Sequence, residues 1–207
     1  MFKVYGRLGS GSAVVEALLE LAGANYTFES VERQSDGNFS PSFVAINPLA
    51  QVPALILPDG SIMTESGAIA VYLADRFPAM GLAPSLDDPQ RAAYLRWMFY
   101  LAANIYMTDL RLYYSARYVD DAAAAPAVKS AAERRMADEW EIYAKALGSK
   151  PFMLGERMST VDIYAAMLAT WNLDVPGFFA KHRSIKRMYD AVVARPVIAK
   201  VWARNEM

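Results

Sequence analysis

The sequence contains no cysteine and a single histidine, His182. Without a thiol there is no disulfide, no thiolate metal site and no enzyme nucleophile or redox centre of its own made of sulfur. One imidazole leaves zinc sites and Ser-His-Asp triads poorly supplied, so no metal is expected. Charge of one sign is also missing, since 21 Lys and Arg stand against 22 Asp and Glu, a formal net charge of −1. That balance offers no net attraction to nucleic acid or to an anionic membrane surface. Nowhere do apolar residues run uninterrupted for the roughly 18 positions a spanning helix needs. Phe2-Lys3-Val4-Tyr5, directly after Met1, reads as a strand and not as a leader. The expected location is the cytoplasm.

What is present is core. Of 207 residues, 55% are apolar and 21% charged, a composition that excludes disordered and collagen-like chains. Length alone gives about 1.4 domains, so one large domain or two small ones remain open. The first quarter reads strand (2–5), a turn with Gly6, Gly9, Gly11 and the serines Ser10 and Ser12, helix (13–22), then strand (26–31). Residues 32–50 are turn-rich, including Ser35-Asp36-Gly37-Asn38 and Asn47-Pro48, with a short helix near 42–45. Residues 52–57 and 62–63 flank Pro58-Asp59-Gly60 as a hairpin, and helical spacing returns over 65–77 through Ile69, Tyr72, Leu73 and Phe77. The block 1–77 is therefore βαβ followed by ββα. Residues 78–89 hold three prolines, a glycine and two acids and read as a linker. Beyond them every pattern over 90–207 is helical: 91–119, 128–147, 160–173 and 185–204, the last interrupted by Pro196. The fold class expected is an α/β domain followed by an all-helical one.

The glycine-rich turn superficially fits a dinucleotide fingerprint, with Glu32 about 20 residues on. Val14 stands where the third glycine is required, and the chain turns wholly helical after residue 77, which argues against it. A nucleophile elbow fails as well, because neither serine is flanked by glycines two positions away on both sides. A serine before a helix does sit beside unpaired N–H groups and the positive end of the helix dipole, a place for an anion such as a substrate thiolate. The commoner use is simply to N-cap the helix, worth about 1 kcal/mol. At Gln51-Val52-Pro53-Ala54-Leu55 a proline opens a strand; an X-Pro bond there is a candidate for the cis form, although trans is more frequent. The backbone of Val52 could pair with an extended, peptide-like ligand. Thr64-Glu65-Ser66 precedes a helix as ordinary first-turn residues do, or as a carboxylate and hydroxyl for a ligand's ammonium and carboxylate.

At these places the chain resembles the cytosolic glutathione transferase family. Gly9-Ser10-Gly11-Ser12, Gln51-Val52-Pro53-Ala54-Leu55 and Glu65-Ser66-Gly67-Ala68-Ile69 are similar to its N-terminal thioredoxin-like domain. Ser159-Thr160-Val161-Asp162-Ile163 is similar to the capping box and hydrophobic staple of its helical domain. The resemblance spans essentially the whole chain. It implies that 1–77 binds glutathione as co-substrate, with Val52 pairing to its cysteinyl backbone, Pro53 shaping the site, and Glu65 and Ser66 holding the γ-glutamyl end. Gln51 departs from the lysine that many members carry, keeping a hydrogen-bond donor without the charge. For activation of the thiol the order of candidates is Ser10, then Ser12, then Tyr5. The helical domain would supply the pocket for a small hydrophobic electrophile, with Met98, Tyr106 and Tyr113 as candidate lining, and plain core packing an equal account of each. A homodimer is implied, without nucleic-acid or membrane partners. The alternative to a transferase is a binding or regulatory protein that keeps the scaffold without the reaction. Asp162, three residues after Ser159, is read as the partner in a reciprocal cap, and His182 as a packing residue.

Overall fold

The structure is a computed structural model that describes residues 1–35 and 37–207. Asp36, part of the expected 35–38 turn, lies outside the described residues. The chain divides into two compact units, residues 1–85 with 192–207, and residues 86–191.

In the first unit, β1 (Phe2–Gly6) and β2 (Tyr26–Ser30) pair in parallel, which demands a crossover, and α1 (Ser12–Leu21) supplies it. β3 (Ala54–Ile56) runs antiparallel to β1 and β4 (Ile62–Met63) antiparallel to β3, giving the order β2-β1-β3-β4. This is the expected thioredoxin-like βαβ-ββα arrangement. β3 is shorter than the expected 52–57 because Pro53 has no N–H to give the ladder, and Leu57 already bonds across the turn to Ser61. Gly60 closes that turn at φ 88°.

Alternation along β1 buries Phe2, Val4 and Gly6 and leaves Lys3 and Tyr5 half-buried on the other face. The buried face meets α1, whose Ala13, Val14, Val15, Ala17, Leu18 and Leu19 are wholly enclosed, and α3 (Ser66–Arg76) with Ile69, Ala70 and Leu73. The opposite face carries the short α2 (Pro41–Ile46), capped by Ser40, where Val31, Phe39, Phe43 and Ala54 cluster with Tyr5 and Val52 packed against them. α1 is enclosed on more sides than its apolar stripe predicts because a third partner, besides β1 and α3, reaches it from far along the chain. α10 (Pro196–Arg204) lies against it, so a segment whose pattern merely continues the helical half belongs to the first unit.

The second unit is all helix, as expected: α4 (Arg91–Tyr100), a π turn (Leu101–Ile105), α5 (Tyr106–Tyr113), α6 (Ala125–Leu147), α7 (Thr160–Ala169), α8 (Val175–Lys181) and most of α9 (Arg183–Val193). The single helix expected over 91–119 therefore contains a wide turn and ends at Tyr113; the apolar pattern does not mark either event. Every residue of α7 is buried, and Tyr94, Trp140, Tyr143 and Tyr164 are the largest wholly enclosed side chains in this core. No helix among the described residues is long and apolar enough to cross a membrane.

Candidate active site

β1 delivers the chain into the glycine-rich turn, and the turn is built on the backbone of Arg7. The Arg7 carbonyl oxygen accepts from Ser10 Oγ at 2.6 Å and from Ser12 Oγ at 2.9 Å, and its N–H donates to Ser12 Oγ at 3.2 Å. The two hydroxyl oxygens are 3.0 Å apart, and the Ser12 N–H reaches Ser10 Oγ at 3.3 Å. Neither serine N-caps α1. Gly11, which has no side chain to cap with, holds that position, and both hydroxyls are turned back to Arg7.

The proton count gives this network its chemistry. Two hydroxyl protons face one carbonyl with two lone pairs, and each hydroxyl can also serve the other. If Ser10 gives its proton to an incoming anion, Ser12 still satisfies the Arg7 carbonyl. Burial separates the roles, since Ser12 is wholly enclosed and Ser10 only half-buried. Only Ser10 can meet a ligand without rearrangement. The first turn of α1 carries no acidic side chain, so its positive end is uncompensated there. Tyr5 stands elsewhere: its ring lies 6.0 Å from that of Phe43 and under the Lys3 ammonium, in the cluster with Val52. Bonds to Glu29 and then to Tyr5 hold the Lys3 ammonium above its ordinary pKa.

The second segment depends on Asn47, which the Asn47-Pro48 pair marks only as a turn. Asn47, 4% exposed, donates through Nδ2 to the Gln51 carbonyl at 2.7 Å, accepts through Oδ1 from the Leu49 N–H at 3.2 Å, and gives its own carbonyl to the Ala50 N–H at 2.8 Å. This cross-braced loop, with Ala50 at φ 52°, presents Gln51 exposed and Val52 half-buried before a cis Val52-Pro53 bond. Among the described residues neither backbone group of Val52 has a hydrogen-bond partner. A buried side chain that spends every group on nearby backbone is the signal that Asn-Pro spacing alone hides.

Glu65 stands at the N-cap of α3 with φ 66° and ψ 100°, outside the region a non-glycine residue ordinarily adopts, and its side chain is exposed without capping the helix. Such strain persists where the surroundings over-determine it, often at a site. Ser66, the first residue of α3, is 8% exposed. The strand registers bring these pieces to one place. Tyr5 pairs with Ala54 and Leu55 with Met63, so continuing both ladders sets Arg7 beside Val52 and Glu65 beside Pro53. The serine turn, the Val52-Pro53 bond and the head of α3 therefore leave the same end of the sheet.

In the helical unit, Met98 is 1% exposed and packs in the core. Tyr106 is half-buried, edge-on to Trp171 with centroids 5.1 Å apart, while Tyr113 is exposed and its hydroxyl donates to the Trp171 carbonyl. Asp162 forms the reciprocal cap, accepting from the Ser159 N–H at 2.8 Å, and also receives the Met153 N–H at 2.7 Å. Burial pushes its carboxyl up to about 6 against the pull of those bonds. His182 is buried beside Phe178, and burial followed by Lys181 lowers its pKa. Among the described residues no group of three or more His, Cys, Asp or Glu side chains is placed to hold a metal ion.

Residues 1–75 match the family model for the glutathione S-transferase N-terminal domain, and residues 102–196 that for the C-terminal domain. The chain is similar to an uncharacterised GST-like protein, YncG, of Escherichia coli K12, with 33% identity covering 100% of both chains. It is 27% identical to the glutathione S-transferase GstA of Escherichia coli O157:H7 over 82% of this chain and 81% of that one. Among solved structures it is similar to a glutathione transferase homologue from Sulfitobacter with bound glutathione, at 26% identity and a TM-score of 0.89, covering 100% of this chain and 99% of the other.

Proposed function

The chain belongs to the glutathione S-transferase family, and from that membership we propose that it binds glutathione at this end of the sheet and activates its thiol for attack on a hydrophobic electrophile. The observation that carries the reading is the Ser10–Ser12 pair on the Arg7 carbonyl, with Ser10 alone half-buried and its proton free to leave without orphaning the carbonyl. Ser10 donates to the thiolate; Ser12 holds Ser10 and the turn. Val52 offers its unpaired backbone to the cysteinyl residue of glutathione, Pro53 fixes the edge, and Glu65 with Ser66 receives the γ-glutamyl end. Gln51 offers an uncharged donor to the glycyl carboxylate. Tyr5 ranks last for contact with the sulfur, since its ring is committed to the Phe43 cluster.

Magnitudes apportion the work. A thiol of pKa about 8.5 is about 3% ionised at pH 7, and lowering it by two units gives about 25-fold more thiolate. A hydroxyl bond to the sulfur anion, about 1.5–3 kcal/mol, and the α1 dipole, about 0.3–1 kcal/mol, are of that order. Nucleophilicity falls with pKa, and a Brønsted slope near ~0.45 returns about eightfold of the gain, leaving about threefold. The larger part of the acceleration comes from holding the electrophile against sulfur. Tyr106 and Tyr113 of the helical unit are proposed to contact the electrophile, while Met98 belongs to that unit's core. We further propose a cytoplasmic homodimer and assign residues 1–77 to glutathione and, of the expected 90–207, the part that stays in the helical unit, 90–191, to the electrophile. The test is a calorimetric titration with glutathione on wild type and Ser10→Ala, recording thiolate absorbance near the ultraviolet edge. Wild type binds with a thiolate signal that Ser10→Ala loses. Absence of binding at millimolar glutathione would sink the transferase reading and favour a scaffold protein without the reaction.

A further inference from the structure

The turn that holds the serines also carries a guanidinium with nothing to hold. Arg7 is half-buried, and among the described residues its side chain has no hydrogen bond, ion pair or ring contact. Its backbone is the anchor of both hydroxyls, so the guanidinium grows from the same turn as the Ser10 hydroxyl. Next to it Leu8 is 49% exposed, an apolar surface beside a cation. The carboxylate brought to the same end of the sheet, Glu65, is assigned to the ligand's ammonium, and α1 contributes no acid in its first turn. A guanidinium without a protein partner beside the serine turn is free to receive an anion that arrives with a ligand, as a charge-assisted, bidentate contact. In the reading above Ser10 meets glutathione's thiolate, Gln51 its glycyl carboxylate, and Glu65 with Ser66 its γ-glutamyl end, which leaves Arg7 for the second substrate.

We infer that Arg7 and Leu8 select electrophiles bearing an anionic group on an apolar, aryl-type frame, Leu8 covering the frame and Arg7 receiving a carboxylate or similar acid. This rests on the reading of the site as one for glutathione thiolate. In the reaction, sulfur forms a bond to the ring carbon that bears the halide, the carbon–halogen bond breaks, halide leaves, and the thiol proton passes to solvent. Arg7 touches the acid and not the reacting carbon, so its effect falls on KM.

The test compares 4-chloro-3,5-dinitrobenzoate with its neutral amide, each corrected for its uncatalysed rate with glutathione, on wild type and Arg7→Gln. Gln keeps the backbone groups that anchor the serines. Wild type should favour the acid through KM by about 10-fold or more, the scale of a charge-assisted hydrogen bond. Arg7→Gln should remove that preference, raising KM for the acid by about 10-fold more than for the amide. Equal handling of acid and amide by wild type overturns the inference, as does an equal loss for both in Arg7→Gln, which would assign the guanidinium to the thiolate. Calorimetry with unreactive 3,5-dinitrobenzoate, in parallel with glutathione, separates the two readings. Binding of the acid that Arg7→Gln abolishes, in a protein that ignores glutathione, sustains Arg7 and removes the thiol chemistry; glutathione binding with no binding of the acid does the reverse.

Discussion

At the scale of the residue, the serine turn is held by what Gly6 lacks. A Cβ on Gly6 would lie 2.5 Å from Ser12 Cβ, 2.6 Å from Ser12 Oγ and 2.7 Å from Phe28 Cε2, all closer than side chains tolerate. Ser12 itself is wholly buried and cannot step aside into solvent. Gly6→Ala therefore overpacks the junction of β1, β2 and α1, at about 1–3 kcal/mol, and displaces the hydroxyl that braces Ser10. The expectation is a lower denaturation midpoint together with a weakened glutathione-thiolate signal; a destabilised variant with the full signal would show that Ser12 is packing and not brace. Spacing marks both serines as candidates but does not rank them; the resemblance alone puts Ser10 first. Burial decides which hydroxyl a ligand can reach, and burial of Ser12 is fixed by Gly6 and Phe28, residues that carry no motif.

At the scale of the element, the reciprocal cap of α7 was legible because Ser159 and Asp162 stand at the required spacing. The third bond, from the Met153 N–H, was not, because it comes from a loop six residues upstream of the N-cap. That bond makes Asp162 a clamp between the loop and the helix. Asp162→Ala should cost about 0.5–2 kcal/mol for the cap alone, read as a shift in urea midpoint. Its titration adds a pH signature. The carboxyl pKa is raised from 3.8 to about 6, chiefly by burial. Between about pH 4 and 6 the folded chain keeps a proton that the unfolded chain has released, so this group's contribution to stability declines as pH rises through that window and is level above and below it. The full excursion is about 3 kcal/mol. Asp162→Asn should remove this downward slope from the stability–pH curve; an unchanged slope between pH 4 and 6 would move its origin to another group. The same limit on local reading applies to the π turn at Leu101–Ile105, since one extra residue in a helical turn leaves the apolar spacing on either side intact.

At the scale of the whole molecule, the order of elements and the division into α/β and helical parts follow from periodicity, while the return of the last helix does not. Periodicity reports that a segment is helical and one-sided; it is silent on which partner covers that side. Here the partner is α1, 188 residues away from Arg204 along the chain. Glu16, 2% exposed in the middle of α1, accepts from Arg204 Nη2 at 2.9 Å and from Asn205 Nδ2 at 3.1 Å, and Arg204 also reaches Glu20 at 2.9 Å. Burial raises the Glu16 carboxyl pKa even with these donors in place, and burial with the nearby Glu16 charge pushes the Tyr26 phenol up to about 12. A charge this costly to enclose makes the first unit dependent on the chain's last turn. Arg204→Ala should destabilise the protein by about 1–3 kcal/mol, less than a fully buried pair would cost because Asn205 keeps one bond and Arg204 is partly solvated. The penalty comes from an unpaired charge and not from lost contact area. Adding Glu16→Gln to Arg204→Ala should therefore recover part of the loss, and a double variant weaker than the single one would assign α10's hold to packing instead.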